Sequence, residues 1–249
     1  MKRWMRKRSE YSIKVNIMYE NNEIIKRLLS YKDKNLSIIS FADLSEVESE
    51  ARFGLRYGIC IAVALKVLPS LTNEPSYDYY TEYKAVSKQL RETSYYLEEQ
   101  IQAMGYQAYS LARNKQNDQF ITLLPFKTLA TRAGIGWIGK SATLVTKEYG
   151  NAIRLHGVIT DMPFETAEPI NESYCGDCHE CVDHCPAKAV VGNNWSLKTP
   201  RMELLDPFAC KAKVIERGKV FGVTEGSCGI CLSCCPWTKK YFLKLLDKQ

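Results

Sequence analysis

The stretch CGDCHECVDHCP, residues 175–186, sets Cys175, Cys178, Cys181 and Cys185 in the order C-x2-C-x2-C-x3-C-P. Three thiols two residues apart can wrap one iron–sulfur cubane corner by corner. The fourth, displaced by three residues and followed by proline, points away and reaches a second cluster. Paired CxxC units alone would leave zinc open, since zinc takes four thiolates tetrahedrally. The longer run points to iron–sulfur chemistry instead.

A two-cluster arrangement needs a second ligand set, and CGICLSCCPW, residues 228–237, supplies it. Cys228 and Cys231 form C-x2-C, and Cys235, followed by Pro236, occupies the crossing position. Cys210, separated from Cys228 by 17 residues, completes the count. The expected ligands are Cys175, Cys178, Cys181 and Cys235 for one [4Fe–4S] cluster, and Cys185, Cys210, Cys228 and Cys231 for the other. Cys234 is then spare. A register that uses Cys234 would make an ordinary C-x2-C-x2-C run, but it puts the proline one residue out of place. Cys60, inside the apolar run ICIAVAL, reads as a small buried hydrophobe. Two adjacent cubanes imply electron transfer, without saying where the electron goes.

Composition narrows the setting. The 249 residues are 45% hydrophobic and 25% charged, as in ordinary globular proteins. The longest apolar run, residues 59–65, is too short to cross a bilayer. The basic start MKRWMRKRSE lacks the apolar stretch of a signal peptide, which predicts a cytoplasmic protein with reduced thiols. Of the formal net charge of +6, five come from Lys2, Arg3, Arg6, Lys7 and Arg8, so the body is close to neutral. Residues 1–11 read as a disordered basic arm. The neutral body offers no footprint for a large nucleic acid and argues against tRNA as a partner.

Between residues 12 and 170, helical and strand patterns intermix, predicting an α/β (α+β) layer fold. Helices are expected over 17–30 and 78–104, with Gly105 ending the second, and a shorter one is opened by Pro125. Strands are expected at 59–65 and 106–112, and 141–146 and 151–160 read as a strand pair turning at Gly150. Residues 171–249 form a second, cysteine-rich region. ATRAGIGWIGKSATL, residues 130–144, contains G-x-G-x-x-G, yet it follows a helix and leads into a strand. A dinucleotide fingerprint has the opposite order, so this is a loop where the backbone meets a bulky ligand or another segment.

Taken in order, AGIGWIGK, the strand ending ITDMP, the CGDCHECVDHCPAKAV run, Cys210 and CGICLSCCPW resemble the epoxyqueuosine reductase group, relatives of the corrinoid-dependent reductive dehalogenases. The resemblance covers residues 50–240. It implies a nitroreductase-like cobalamin-binding domain followed by a two-[4Fe–4S] ferredoxin-like domain. It also implies that Gly134, Gly136, Trp137, Ile138, Gly139, Lys140, Ser141, Thr160 and Asp161 lie against a corrin ring, with the clusters feeding electrons to cobalt. A low-potential donor such as a ferredoxin or flavodoxin would supply them. His156 is either an axial ligand or a structural histidine.

The chain departs from the group in two places. Only 12 residues follow Trp237, where the group continues into a helical repeat that helps hold tRNA. Thr122 stands where the group carries a proton-donating Asp, and a threonine is no acid near neutral pH. Asp118, Tyr79 and Tyr83 are substitute proton donors on paper, though a solvated loop carboxylate and packed helix tyrosines account for them equally. The expected function is reduction of an unidentified small molecule through a corrinoid. Alternatives are an electron-transfer module that serves a partner redox protein, and a flavin in place of the corrinoid.

Overall fold

A computed structural model describes residues 2–69, 75–223 and 228–247, with side chains from residue 15 onward. The first element is a single helix, α1 (Lys2–Lys32). An unstructured arm is expected before residue 12, but no glycine or proline interrupts the chain from Lys2 to Lys32, and the backbone is helical throughout. What the basic side chains Lys2–Arg8 do lies outside the described residues.

The apolar run becomes β2 (Tyr57–Ala64), buried at all eight positions. It pairs antiparallel with β1 (Ile38–Asp43), which the sequence pattern does not announce. Helix α2 (Tyr77–Ala103) follows, its first turn capped by Ser76, whose side chain accepts from Tyr79 N. Then come β3 (Ala108–Ser110), α3 (Phe126–Arg132), the short β4 (Trp137–Ile138) and β5 (Leu144–Val145), and β6 (Ile153–Thr160). The main sheet runs β1-β2-β6-β3, antiparallel at every pairing. Residues 141–146 and 151–160 are therefore not paired as ladders. β5 pairs with β4, and β6 is claimed by β2 across eight positions; only the turn pair Thr146 and Gly150 joins them. A strand buried between two partners gains more ladder bonds and more apolar contact than a two-stranded ribbon offers.

Alternation sorts the sheet residues into two cores. Ile59, Ile61, Val63 and Val158 face α1 and α2, against Ile25, Leu29, Leu90, Leu97 and Ile101. Cys60, Ala62 and Ile159 face α3, against Leu129 and Ala130. Gly58 and Gly157 let Leu129 press directly on the sheet; a Cβ on either would meet its methyl carbons. Cys60 is fully buried, and burial raises its thiol pKa far above the ordinary range. Cys60→Ala should cost about 1 kcal/mol in urea denaturation, the scale for trimming one buried atom. The iron content should not change, and any loss of iron would refute the hydrophobe reading.

The cysteine-rich region is built from short pieces: α4 (Glu180–Asp183), α5 (Pro207–Gly218), α6 (Ile230–Ser233) and α7 (Pro236–Leu246). Asp206 caps α5, accepting from Phe208 N and Ala209 N, with Pro207 at the first helical position. These pieces surround a third core of Ala189, Val190, Trp195, Leu204 and Leu205, which also takes in Trp137, Ala142 and Val145. The β4–β5 hairpin thus packs with the cysteine-rich region, although it lies well before residue 171. Among the described residues, no helix is long and apolar enough to cross a membrane.

Candidate metal centre

The ten cysteines are all free thiols. The first run leaves Gly176 in a left-handed turn (φ 54°), which bends the chain so that Cys178 N bonds back to Cys175 O at 3.2 Å. Cys181 follows on α4. Cys235 arrives from the other end of the region as the N-cap residue of α7, with Pro236 at its first position. Cys175, Cys178, Cys181 and Cys235 line one cavity of about 130 Å³ together with Gly139, Lys140, Ser141, Asn151, Cys231 and Trp237. Cys234, one residue from Cys235, is absent from that lining and is fully buried.

The thiols repel one another in two groups. Burial, with Cys175, Cys235 and Cys178 close by, pushes the Cys181 thiol up to about 12. Burial, then Cys185 and Cys228, raises Cys210. Burial, then Cys228 and Cys210, raises Cys231 well above its usual value. Such thiols lose their protons only to a strongly positive partner, so loading of this region is expected to release protons. Among the described residues, no three His, Cys, Asp or Glu side chains converge closely enough for a single metal ion. Zinc would draw four sulfurs to within about 3.8 Å of each other, the edge of a tetrahedron with 2.3 Å bonds. A larger polynuclear group suits four thiols that surround a cavity.

Two further observations fit such a group. Trp137 Nε1 is buried without a hydrogen-bond partner, and the ring packs against Trp237, which lines the cavity, at 5.2 Å between centroids. Lys140 lines the same cavity at 3% exposure, and among the described residues its side chain makes no hydrogen bond or ion pair. Around the second group, Ala189 N donates to Cys185 Sγ at 3.3 Å. Asn151 joins the two halves: its Nδ2 donates to Thr143 Oγ1 and to Cys231 O, while its Oδ1 accepts from Thr238 Oγ1 at 2.6 Å. None of these second contacts is visible as a motif; only the position of Asn151 just past Gly150 hints at a turn residue.

Of the residues expected at a corrin ring, three line the cysteine cavity. Gly139, Lys140 and Ser141 lie on the cysteine side. The glycines of the loop meet protein: a Cβ on Gly134 would fall 2.6 Å from Glu168 O, on Gly136 2.9 Å from Val145 C, and on Gly139 2.8 Å from a Val145 methyl. Ile138 is partly exposed and pairs with Leu144 in the hairpin. Thr160 and Asp161 are tied to Gln107, through Thr160 Oγ1 to Gln107 O and Gln107 N to Asp161 Oδ1. The His156 ring lies tilted against Phe126, 4.4 Å between centroids, and is 7% exposed.

The substitute proton donors are also placed. Asp118 is exposed in the loop before α3. Tyr79 is buried against the Gly229 turn between Cys228 and Cys231, and burial raises its pKa. Tyr83 lies under the Arg154 guanidinium, 3.9 Å from its centroid.

Burial, then Arg154 and Arg91, lowers the His156 pKa to about 4, and its Nδ1 has no partner. A histidine depressed in the fold and ordinary when unfolded contributes stability above about pH 6.5 that is lost as pH falls toward 4. Between pH 7 and pH 5 the parent should lose about 2 kcal/mol more than His156→Phe, measured by urea unfolding. Equal losses would show that His156 is not held neutral.

No family model matches the chain. Among curated proteins, it is 32% identical over 115 residues to an epoxyqueuosine reductase of Leadbetterella byssophila, covering 45% of this chain and 36% of that one. It is 37% identical over 112 residues to an epoxyqueuosine reductase of Lactococcus garvieae, covering 45% and 31%. The chain spans about a third of the length of these curated relatives. Among solved structures, a selenomethionine-labelled epoxyqueuosine reductase superposes with a TM-score of 0.55 at 21% identity, over 88% of this chain and 66% of that one. A catabolic reductive dehalogenase superposes with a TM-score of 0.58 at 15% identity, over 92% and 34%. At these identities the likeness establishes a shared fold.

Proposed function

This chain being epoxyqueuosine reductase-like over the region it shares with those relatives, we propose that it is an iron–sulfur oxidoreductase. Cys175, Cys178, Cys181 and Cys235 would hold one [4Fe–4S] cluster, and Cys185, Cys210, Cys228 and Cys231 the other. The observation that carries this reading is the cavity where Cys235, 50 residues after Cys185, meets the first three cysteines. Bound there, the clusters supply one-electron chemistry at low potential. The chain's own residues do the rest. The Gly176 turn and α4 present three thiols, and the cap of α7 brings the fourth. Trp137, Trp237 and Val145 keep water from the cavity wall.

A corrinoid as electron acceptor is supported by likeness. A solved relative in fold is described as a reductive dehalogenase with B12-dependent dehalogenation. No step is assigned through the corrinoid. A second reading, an electron-transfer module that serves another protein's cofactor, is favoured by Thr122, which is no acid near neutral pH. One solved epoxyqueuosine reductase is in complex with a modified tRNA stem loop; for this chain we propose a small molecule or a redox protein instead, on its near-neutral body. A small low-potential electron carrier is the proposed donor.

The deciding experiment is anaerobic reconstitution of the full chain followed by iron analysis and EPR with added cob(II)alamin. About eight irons per chain with a base-off cobalt signal supports the corrinoid reductase. Eight irons with an unperturbed cobalt signal supports the electron-transfer module. Fewer than four irons would defeat the two-cluster reading altogether.

A further inference from the structure

The β4–β5 hairpin carries two polar groups that protein atoms leave unanswered. Trp137 is 0% exposed, and its Nε1–H has no acceptor among the described residues. Lys140, three residues on, is 3% exposed; no carboxylate pairs with its side chain among the described residues. Lys140 is part of the cavity lining; Trp137 packs on the lining residue Trp237 and shares an apolar cluster with Cys175 and Cys181. A buried N–H with no protein acceptor and a cation with no protein counter-charge, both close to one set of four cysteines, suit an anionic group held there. The one carboxylate in the cavity lining, Glu180, is already engaged by Lys239 at 3.5 Å.

The hairpin is held firmly in place. Gly139 N donates to Thr143 O at 2.9 Å and Ala142 N to Gly139 O at 2.8 Å. Lys127 Nζ donates to Ala142 O at 2.5 Å, binding the hairpin to α3. A Cβ on Gly139 would fall 3.4 Å from Cys175 Sγ, so the backbone touches a cluster ligand at that point. These bonds fix the hairpin backbone as a wall of the cavity.

Thiolate-ligated iron–sulfur groups are anionic, and one-electron reduction adds a further negative charge. Net charge and hydrogen bonds to the sulfurs are what set the potential of such a group. Resting on the iron–sulfur reading above, we propose that Lys140 and Trp137 are the residues that set the potential of the cluster at Cys175, Cys178, Cys181 and Cys235. The ammonium and the indole N–H stabilise its reduced form. They act on the cluster's electron and take no part in proton transfer to a substrate.

The test is an EPR-monitored redox titration of the reconstituted full chain, with dithionite as reductant and iron counted in every sample. Lys140→Met should make reduction of one of the two clusters at least tenfold less favourable, 59 mV lower for a one-electron couple. Trp137→Phe, which keeps the ring and removes the N–H, should shift the same cluster in the same direction by less. Lys140→Arg, which keeps the charge, should stay within threefold of the parent. Eight irons in Lys140→Met with both potentials unchanged would overturn the proposal. If that variant loads iron poorly, Trp137→Phe decides, and an unchanged potential there overturns it equally. A parent chain far short of eight irons would instead sink the two-cluster reading, leaving the two failures distinguishable.

Discussion

Cys235→Ser is expected to lose about four of eight irons, while Cys234→Ser keeps the full complement. The two residues are neighbours in sequence and differ in what surrounds them. Cys235 lines the cavity with Cys175, Cys178 and Cys181. It is the N-cap residue of α7, with Pro236 at the first helical position. Cys234 is the C-cap of α6 and fully buried. Burial, reinforced by Cys181 and Cys235, pushes its thiol up to about 12, as it does for Cys181, so position on the cavity wall and not acidity separates Cys234 from Cys235. Iron and acid-labile sulfide per chain, with EPR spin counts, measure the difference. The opposite pattern, iron lost with Cys234 and kept without Cys235, would mean that the proline does not define the register.

Gly150→Ala should destabilise the chain by about 3 kcal/mol and lower its iron content, although Gly150 touches no cluster ligand. Its φ is 57°, the left-handed region, where alanine costs about 1–2 kcal/mol. The added Cβ would also sit 2.6 Å from Thr238 Cα and closer still to Thr238 N and Oγ1, an overpacking worth about 1–3 kcal/mol. Thr238 lies three residues past Cys235, and its hydroxyl accepts from Asn151 N at 3.0 Å and donates to Asn151 Oδ1. Asn151 in turn donates to Cys231 O at 3.3 Å. Pushing the 146–150 turn off α7 therefore moves a ligand of each cluster. Gly105→Ala is the matched control: its φ is 88°, yet nothing lies within 4 Å of its Cβ position. It should pay backbone strain alone and retain its iron. If the two variants unfold at the same urea concentration with equal iron, the coupling through Thr238 does not exist.

Much of the candidate site is legible because the cysteines that line the cavity stand at short, regular spacings. C-x2-C-x2-C-x3-C-P needs only a tight turn, and the glycine and proline that make such turns stand beside the cysteines. Helices α2 and α3 and strand β2 were equally readable from periodicity, Gly105, Pro125 and an unbroken apolar run. The start of α5 had a signal that went unread, Asp206 before Pro207, a cap followed by the residue that favours the first helical position. Strand β1 had little, since IISFAD has no clear alternation and is buried at only Phe41 and Ala42.

By itself, the sequence determined which cysteines are ligand candidates, which one carries the proline, and that a layered α and β region precedes them. These depend on short-range geometry, where neighbours along the chain constrain each other. Only the tertiary structure decided the pairing of β6 with β2 and β3, the transfer of the β4–β5 hairpin into the cysteine-rich core, and the placing of Lys140 on the wall of the cysteine-lined cavity. Those outcomes are contests between distant segments for burial and hydrogen bonds. A local pattern lists the contestants, but the winner depends on which partner buries more surface and satisfies more backbone groups.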